Sequence, residues 1–279
     1  MKIKEILTWA AGELENISES PMLDARVILS EVIKKDNLYF ITHKYDEVPE
    51  DISEEYHRLI NLRKENMPVA YITNRREFMS MDFYVDERVL IPRADTEILV
   101  EKAIEIIGGN SYNVLDMCCG SGCIGLSVKK YSPQISLTLA DISEGALEVT
   151  KINSNKHFPG NNLIKIIQTD LFENITGSFD MILSNPPYIS FTEMKTLSKD
   201  IINYEPHLAL EAEDEGLYFY EKITTDSAPY LKAGGYILYE IGSTQAEAVS
   251  EILRKNNFTE ITVLKDYAGL DRVVMGKKQ

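Results

Sequence analysis

The chain has 279 residues, of which 44% are hydrophobic and 26% charged, a composition that is ordinary for a globular protein. Its length is enough for one large domain or two moderate ones. Its 29 basic and 44 acidic side chains give a formal net charge of −15, which argues against a large nucleic-acid-binding surface. No apolar run is long enough for a membrane-spanning helix and the N-terminus lacks a signal peptide, so we expect a cytoplasmic protein that does not bind membranes.

Residues 1–75 show the hydrophobic periodicity of helices. The apolar residues of the first helix recur three or four positions apart, at Ile3, Ile6, Leu7, Ala10 and Leu14. Ser20 followed by Pro21 predicts a second helix with serine as its N-cap, and two more helices are expected at Asn37–Thr42 and at residues 53–64. We therefore expect a small all-helical domain at residues 1–75, suited either to recognising a partner or to capping the next domain.

At Arg76 the pattern changes to the alternation of apolar and polar residues that is typical of β-strands. Asp86-Glu87-Arg88 lies between two such stretches and predicts the turn of a β-hairpin. We assign residues 76–92 to a β-hairpin linker. The second domain is expected to span residues 93–279 and to begin with a helix that ends at Gly108-Gly109.

Predicted strands and helices alternate through the second domain. The strands are expected at residues 114–118, 135–141, 163–169, 179–184, 236–241, 259–264 and 272–275. The helices between them are expected at residues 123–131, 144–157, 216–231 and 245–255. This order predicts an α/β fold with a Rossmann-like, doubly wound and mostly parallel seven-stranded sheet, whose ligand binds at the carboxyl ends of the strands.

The first strand of this domain runs into a glycine-rich loop. Gly120, Gly122 and Gly125 match the G-x-G-x-x-G pattern of a nucleotide-binding loop, and Asp141 ends the next strand. Pyrophosphate at the helix N-terminus and ribose on Asp141 would make a dinucleotide site. A hydride-transferring dehydrogenase is therefore one hypothesis.

Further carboxylates favour S-adenosylmethionine over a dinucleotide. We place Asp116 within the loop, where it would repel a pyrophosphate but attract a sulfonium and an ammonium group. Asp170-Leu171-Phe172 follows the third strand and supplies a carboxylate and apolar side chains where an adenine would lie. Acidic residues around one loop favour a cationic cofactor, although any of them could also be a helix N-cap.

Cys118, Cys119 and Cys123 lie in the same loop. Their spacing matches no common zinc site and no Cys-x-x-Cys motif. We interpret them as small apolar residues packed around a tight turn, and we expect no metal cofactor.

The stretch Asn185-Pro186-Pro187-Tyr188 follows the fourth predicted strand. Both prolines lack an N–H and restrict the backbone, so the segment is stiff and rich in hydrogen-bond acceptors. The Asn185 side-chain oxygen and the Pro186 carbonyl could accept the two hydrogens of one amide –NH₂, with the Tyr188 ring beside them. These four residues alone leave open that the segment is only a proline turn.

Combined, the motifs resemble a class I methyltransferase that acts on a planar nitrogen. Two groups share Asn-Pro-Pro-Tyr: DNA amino-methyltransferases and the release-factor glutamine methyltransferases of the HemK or PrmC family. The chain is similar to the second group along nearly its whole length, in the stretches 76–78, 89–97, 170–172, 205–206, 209–210, 240–242 and 271–274. It departs from the family pattern at Cys118, where glycine is usual, at Ala94, and in the acidic run from Glu211 to Glu215.

The resemblance implies transfer of a methyl group from S-adenosylmethionine, with S-adenosylhomocysteine as product, to the glutamine of the Gly-Gly-Gln loop in peptide chain release factors. The predicted cofactor-binding residues are Asp116, Cys118, Cys119, Gly120, Ser121, Gly122, Asp141, Asp170, Leu171, Phe172 and Asn185. The predicted catalytic and glutamine-binding residues are Asn185, Pro186, Pro187 and Tyr188, and Arg93 is predicted to contact the substrate. We expect a monomer that binds no nucleic acid directly.

Other functions agree with parts of the sequence. An amino-methyltransferase acting on a nucleic-acid base would share the Asn-Pro-Pro-Tyr motif, but it should carry a basic recognition region, which a net charge of −15 does not suggest. Methylation of a ribosomal protein, and cofactor binding without catalysis, are further alternatives.

Overall fold

The structure is a computed structural model that describes residues 1–279. Its helices are α1 (Ile3–Glu13), α2 (Pro21–Ile33), α3 (Asn37–Thr42), α4 (Glu50–Lys64), α5 (Val69–Ile72), α6 (Glu97–Ile107), α7 (Cys123–Tyr131), α8 (Glu144–His157), α9 (Phe191–Met194), α10 (Lys199–Tyr204), α11 (Tyr218–Asp226) and α12 (Ala246–Lys255). Its strands are β1 (Arg76–Phe78), β2 (Met81–Phe83), β3 (Asn113–Met117), β4 (Ser136–Asp141), β5 (Ile164–Gln168), β6 (Phe179–Ser184), β7 (Leu231–Glu240), β8 (Phe258–Lys265) and β9 (Asp271–Lys278). None of the helices is long and apolar enough to cross a membrane.

The chain forms two compact units. The first contains Met1–Arg75 and Ser198–Tyr204, and the second contains Arg76–Leu197 and Glu205–Gln279. The short segment Ser198–Tyr204, which includes α10, therefore interrupts the second unit in sequence while packing in the first.

The first unit is helical, as predicted for the N-terminal region. Its core forms where the apolar faces of α1, α2 and α4 meet, and Ile6, Ile28 and Ile60 are fully buried there. The buried Tyr56 on α4 keeps its hydroxyl satisfied by donating to the Ala25 carbonyl of α2 at 2.9 Å. From α10, the Tyr204 hydroxyl donates to the Glu65 carbonyl at 3.0 Å.

The second unit is built around one seven-stranded sheet in the order β5-β4-β3-β6-β7-β9-β8. Strands β3 to β7 are parallel, and β9 is antiparallel to both β7 and β8. The predicted Rossmann-like, mostly parallel sheet is thus confirmed. Leu115, Ile182 and Ile237 are paired side by side across the sheet and fully buried. Strand order reverses between β3 and β6, which opens a crevice beyond their carboxyl ends.

The hairpin differs from the prediction. Strands β1 and β2 pair around a two-residue turn at Met79 and Ser80, which both have positive φ, as tight hairpin turns require. A turn does form at the predicted position, where the Val89 N–H donates to the Asp86 carbonyl at 3.1 Å, but no strands pair across it, because the backbone after β2 is bound by a side chain instead of a strand. Asn153 of α8 accepts from the Tyr84 N–H at 2.7 Å and donates to the Tyr84 carbonyl at 3.0 Å.

The predicted helix at residues 216–231 was too long. Helix α11 ends at Asp226, and β7 already begins at Leu231, which pairs with Phe179 of β6. The difference arises from pairing in the sheet, which extends β7 backwards through Gly234 and Gly235 despite their weak preference for strands.

Candidate active site

A cavity of about 270 Å³ lies at the carboxyl ends of β3 and β6, where strand order reverses. Ten of the predicted site residues line it: Arg93, Cys118, Cys119, Gly120, Ser121, Asp141, Asp170, Leu171, Asn185 and Pro187. Five do not: Asp116, Gly122, Phe172, Pro186 and Tyr188. Its wall also includes residues that were not predicted, among them Thr96, Ile142, Ser143, Leu208, Tyr218 and Phe219.

The loop between β3 and α7 turns through three left-handed residues, Cys118, Gly120 and Gly122, with φ of 60°, 53° and 78°. Its polar groups are bound by neighbouring elements. The Gly120 N–H donates to Asp141 Oδ2 at 2.9 Å, and the Gly120 carbonyl accepts from the Thr150 hydroxyl at 2.7 Å. The loop is therefore held in shape by the protein itself.

Gly125 allows α7 to pack closely on the sheet. A Cβ at this position would lie 2.6 Å from Leu139 Cδ2 and 3.0 Å from Asp116 Oδ2. Both are closer than side-chain carbons approach, so only glycine fits without a shift. The third glycine of the motif thus serves helix packing rather than direct contact with a ligand.

Asp116 lies within β3 and is fully buried, so its predicted position in the loop and its direct contact with the cavity were wrong. Its Oδ2 accepts from the Gly125 N–H at 2.8 Å, while its Oδ1 has no hydrogen-bond partner. Burial raises the pKa of Asp116 to about 7 and also raises the pKa of Asp141, which lines the cavity. The Asp141 carboxylate adds to the increase for Asp116, since like charges disfavour a second ionised group.

The three cysteines are free thiols, with Cys119 and Cys123 buried and Cys118 half-buried. Burial raises the pKa of each thiol above its ordinary value, so all three are neutral near pH 7. Together the thiols give the loop an apolar lining, in agreement with the packing interpretation.

The segment after β5 contributes Asp170 and Leu171 to the cavity wall. Leu171 has a left-handed φ of 44°, and its carbonyl accepts from the Thr169 hydroxyl at 3.0 Å. This turn directs Phe172 away from the cavity, where its ring stacks on Tyr230 with centroids 5.0 Å apart. The prediction that Phe172 lines the cofactor site is therefore corrected to a role in the core.

Strand β6 ends at Ser184, whose hydroxyl donates to the Met117 carbonyl of β3 at 2.7 Å and so ties the two strand ends together. The half-buried Asn185 follows and lines the cavity, and its side chain forms no hydrogen bond within the protein. The Pro186 carbonyl likewise accepts no hydrogen bond from the protein. Two acceptors at consecutive residues thus have no partner in the protein.

Tyr188 lies beyond these acceptors and is half-buried. Its hydroxyl donates to Glu240 Oε1 at 3.5 Å, and burial raises its pKa above the ordinary value. The positive charges of Arg272 and Arg93 oppose that increase in the Tyr188 pKa. Arg93 itself is held by an ion pair with the buried Glu205.

The chain matches two family models, the PrmC N-terminal domain at residues 5–73 and the methyltransferase small domain at residues 94–213. It is 45% identical to the release factor glutamine methyltransferase of Clostridium acetobutylicum, over 99% of this chain and 98% of that protein. The chain belongs to the release factor glutamine methyltransferase family. The enzyme of that name from Clostridium botulinum is 39% identical over the full length of both chains.

Solved structures agree on the fold. A methyltransferase from Pyrococcus furiosus superposes with a TM-score of 0.56 over 80% of this chain and 97% of that one, at 15% sequence identity. At that identity the likeness concerns the fold alone, and it supports the Rossmann-like methyltransferase arrangement of β3 to β9.

Two residues of α8 hold the loop between β3 and α7 and carry no motif in the sequence. Thr150 binds the Gly120 carbonyl, and the fully buried Asn153 donates to the Ser121 carbonyl at 3.0 Å. A polar pair three positions apart in a helix, Thr150 and Asn153, is the one signal that could have indicated them, since such residues share a helix face.

Proposed function

We propose that this protein transfers a methyl group from S-adenosylmethionine to the side-chain nitrogen of a glutamine in peptide chain release factors. The observation that carries the proposal is that two acceptors, the Asn185 side chain and the Pro186 carbonyl, have no partner in the protein just after β6 ends, with Asn185 in the cavity wall. Membership of the release factor glutamine methyltransferase family supports the same substrate.

The cavity fits this cofactor. The buried, unpartnered Asp116 Oδ1 and the raised pKa values of Asp116 and Asp141 mark a region that a cationic group would stabilise. Asp141 would hold the ribose hydroxyls, the loop from Cys118 to Ser121 would surround the amino-acid portion, and Asp170 with Leu171 would hold the adenine. When bound, the cofactor supplies an electrophilic methyl group.

The turn at Asn185 provides what the acceptor nitrogen needs. An amide nitrogen is a poor nucleophile because its lone pair is delocalised into the carbonyl. The Asn185 side-chain oxygen and the Pro186 carbonyl would accept its two N–H groups, which fixes the nitrogen and favours a more pyramidal, more positive transition state. Positioning is the main contribution, since no side chain here is a nucleophile.

Tyr188 and Arg93 would act on the substrate side. The Tyr188 ring would offer its π face to the charge that develops on the nitrogen, worth on the order of 1 kcal/mol. Arg93 lines the cavity and has a side chain that is 38% exposed, so its guanidinium can donate to substrate carbonyls while Glu205 holds its other edge. Pro187 also lines the cavity.

Residues 1–75 would provide the surface that recognises the whole release factor, because one glutamine side chain offers little area for specificity. Leu38, Ile41 and Tyr45 are 66%, 58% and 63% exposed on this unit. Exposed apolar side chains of this size are typical of protein-binding surfaces. We further propose a monomer whose partner is the protein substrate rather than nucleic acid.

Radiolabelled methyl transfer to a purified release factor tests the function. We expect incorporation into the intact factor and none into its variant with glutamine replaced by alanine in the Gly-Gly-Gln loop. Equal labelling of both factors, or labelling of neither, would contradict the proposal. A Leu38→Ser/Ile41→Ser variant should raise KM for the intact factor but not for a short glutamine peptide.

A further inference from the structure

Tyr188 is held from both ends by the segment between β7 and α12. Gln245, at the start of α12, donates through Nε2 to the Tyr188 carbonyl at 3.1 Å. Glu240, at the end of β7, accepts from the Tyr188 hydroxyl at 3.5 Å. Gln245 and Glu240, like Tyr188 itself, lie outside the cavity wall, so they hold Tyr188 without lining the cavity.

The orientation of the Gln245 amide is determined by its other contacts. Its Oε1 accepts from the Gly242 N–H at 3.0 Å and lies 3.4 Å from the Tyr220 hydroxyl, which donates to the Glu240 carbonyl at 2.9 Å. A flipped amide would set its –NH₂ against the Gly242 N–H, two donors with no acceptor between them. Nε2 therefore faces the Tyr188 carbonyl.

Gly216 closes over the same carbonyl. It has a φ of +84°, and a Cβ there would lie 2.1 Å from the Tyr188 oxygen and 2.7 Å from Gln245 Nε2. Ile189, which follows Tyr188, is fixed by two backbone hydrogen bonds. Its N–H donates to the Leu210 carbonyl, and its carbonyl accepts from the Ala212 N–H, both at 2.9 Å. The chain is thus anchored on one side of two stiff prolines, at Tyr188 and Ile189.

We propose that Gln245 is a positioning residue for methyl transfer. Its amide fixes the Tyr188 carbonyl, and through Pro187 and Pro186 it sets where the Asn185 and Pro186 acceptors meet the substrate nitrogen. This inference rests on the proposed function of that turn. Displacing reacting groups by about 1 Å can lower a rate by about 100-fold, so a small loss of anchoring has a large effect.

Two variants of Gln245 separate positioning from general stability. Gln245→Met keeps the volume and removes both polar atoms, and we expect kcat to fall by about 10- to 100-fold. KM for the release factor and the Kd for S-adenosylmethionine, measured by calorimetry, should stay within about twofold. Thermal denaturation should show a folded protein.

In Gln245→Glu, the hydrogen bond to the Tyr188 carbonyl depends on pH. As a neutral acid it can donate its O–H to the Tyr188 carbonyl and accept from the Gly242 N–H, whereas its carboxylate would repel that carbonyl. We expect its kcat, divided by that of Gln245→Met at each pH, to rise several-fold from about pH 8 to about pH 6. Tyr188, Tyr220, Glu240 and Arg272 face this position and are common to both variants, so the ratio isolates the new carboxyl.

The outcomes are distinct. Wild-type kcat in Gln245→Met, or a Gln245→Glu pH profile parallel to that of Gln245→Met, would overturn the positioning role. A loss of cofactor affinity as large as the loss of kcat would overturn it as well, because the effect would then be on the fold of the whole site. A wild-type protein that labels no release factor would contradict the proposed function instead, independently of these ratios.

Discussion

The loop between β3 and α7 and the Asn185–Tyr188 turn lie at the ends of neighbouring strands. The polar groups of the loop are hydrogen-bonded within the protein, whereas those of the turn are not. In the loop, Asp141 and Thr150 bind the N–H and the carbonyl of Gly120. In the turn, the Asn185 side chain and the Pro186 carbonyl have no partner in the protein. The hydrogen bonds of the loop are completed within the protein, whereas those of the turn are not. Under the proposed function, a substrate nitrogen would complete them, so the comparison teaches that unpaired acceptors on a stiff backbone are what a substrate site leaves open.

The largest effect is expected where the unpaired acceptor is removed. Asn185→Ala should lower kcat on a release factor by about 10²- to 10³-fold, because the amide nitrogen loses one of its two acceptors in the transition state. The Kd for S-adenosylmethionine should change by less than about fivefold. Asn155→Ala, an exposed asparagine on α8, is the matched control and should behave as wild type. Near-normal turnover of Asn185→Ala would contradict the proposal that this turn binds the substrate nitrogen.

The buried Asp116 should make the free energy of unfolding depend on pH. The pKa of Asp116 is raised to about 7 by burial, so the native state holds this proton more tightly than the unfolded chain does. Its contribution to the free energy of unfolding is present below the unfolded pKa of about 4 and is lost as pH rises through about 7, by up to about 1.4 kcal/mol per pH unit.

Asp116→Asn should flatten that dependence while keeping the acceptor for the Gly125 N–H. Urea denaturation without cofactor, from about pH 5 to about pH 8, would measure it. The same variant should bind S-adenosylmethionine more weakly, since a buried carboxylate near a cation is lost. A pH dependence equal to that of wild type would show that Asp116 does not carry the raised pKa.

A residue that holds the loop should affect binding more than turnover. Asn153→Ala removes the hydrogen bonds to Tyr84 and Ser121, and we expect the free energy of unfolding to fall by about 2 kcal/mol. The Kd for the cofactor should rise, while kcat at saturating cofactor stays close to wild type. If Asn153→Ala instead lowered kcat and left the Kd for the cofactor unchanged, the expectation that the loop affects binding and the turn affects turnover would be wrong.

The smallest effect concerns Cys118, a non-glycine residue at φ +60°. Cys118→Gly should be more stable than Cys118→Ala by about 1 kcal/mol, because only glycine adopts this conformation without a Cβ clash. Cofactor affinity should be similar in both variants. Equal melting temperatures of the two variants would indicate that the loop relieves the strain in another way.

Several elements were predictable from local patterns. The ends of α7, α8 and β6 agree with the prediction to the residue, because each has a strong periodicity or ends in a motif. Where local signals compete with tertiary contacts, prediction failed. The hairpin turn was misplaced since Asn153, distant in sequence, binds the chain after β2, and Asp116 was assigned to the loop because spacing does not reveal burial.

The sequence by itself determined the class of chemistry. The glycine loop, Asp141, and Asn185 through Tyr188 are local signals, since each needs a particular residue type at a particular turn. Alternating strands and helices were enough to predict the sheet on which these motifs lie.

Only the tertiary structure decided which residues meet and which polar groups stay unpaired. It brings Ser198–Tyr204 into the helical unit, sends Phe172 into the core and sets Gln245 and Gly216 against the Tyr188 carbonyl. The physical reason is that hydrogen bonds and close contacts between residues far apart in sequence leave no periodicity or motif behind. These residues come into contact only when the strands assemble into the sheet.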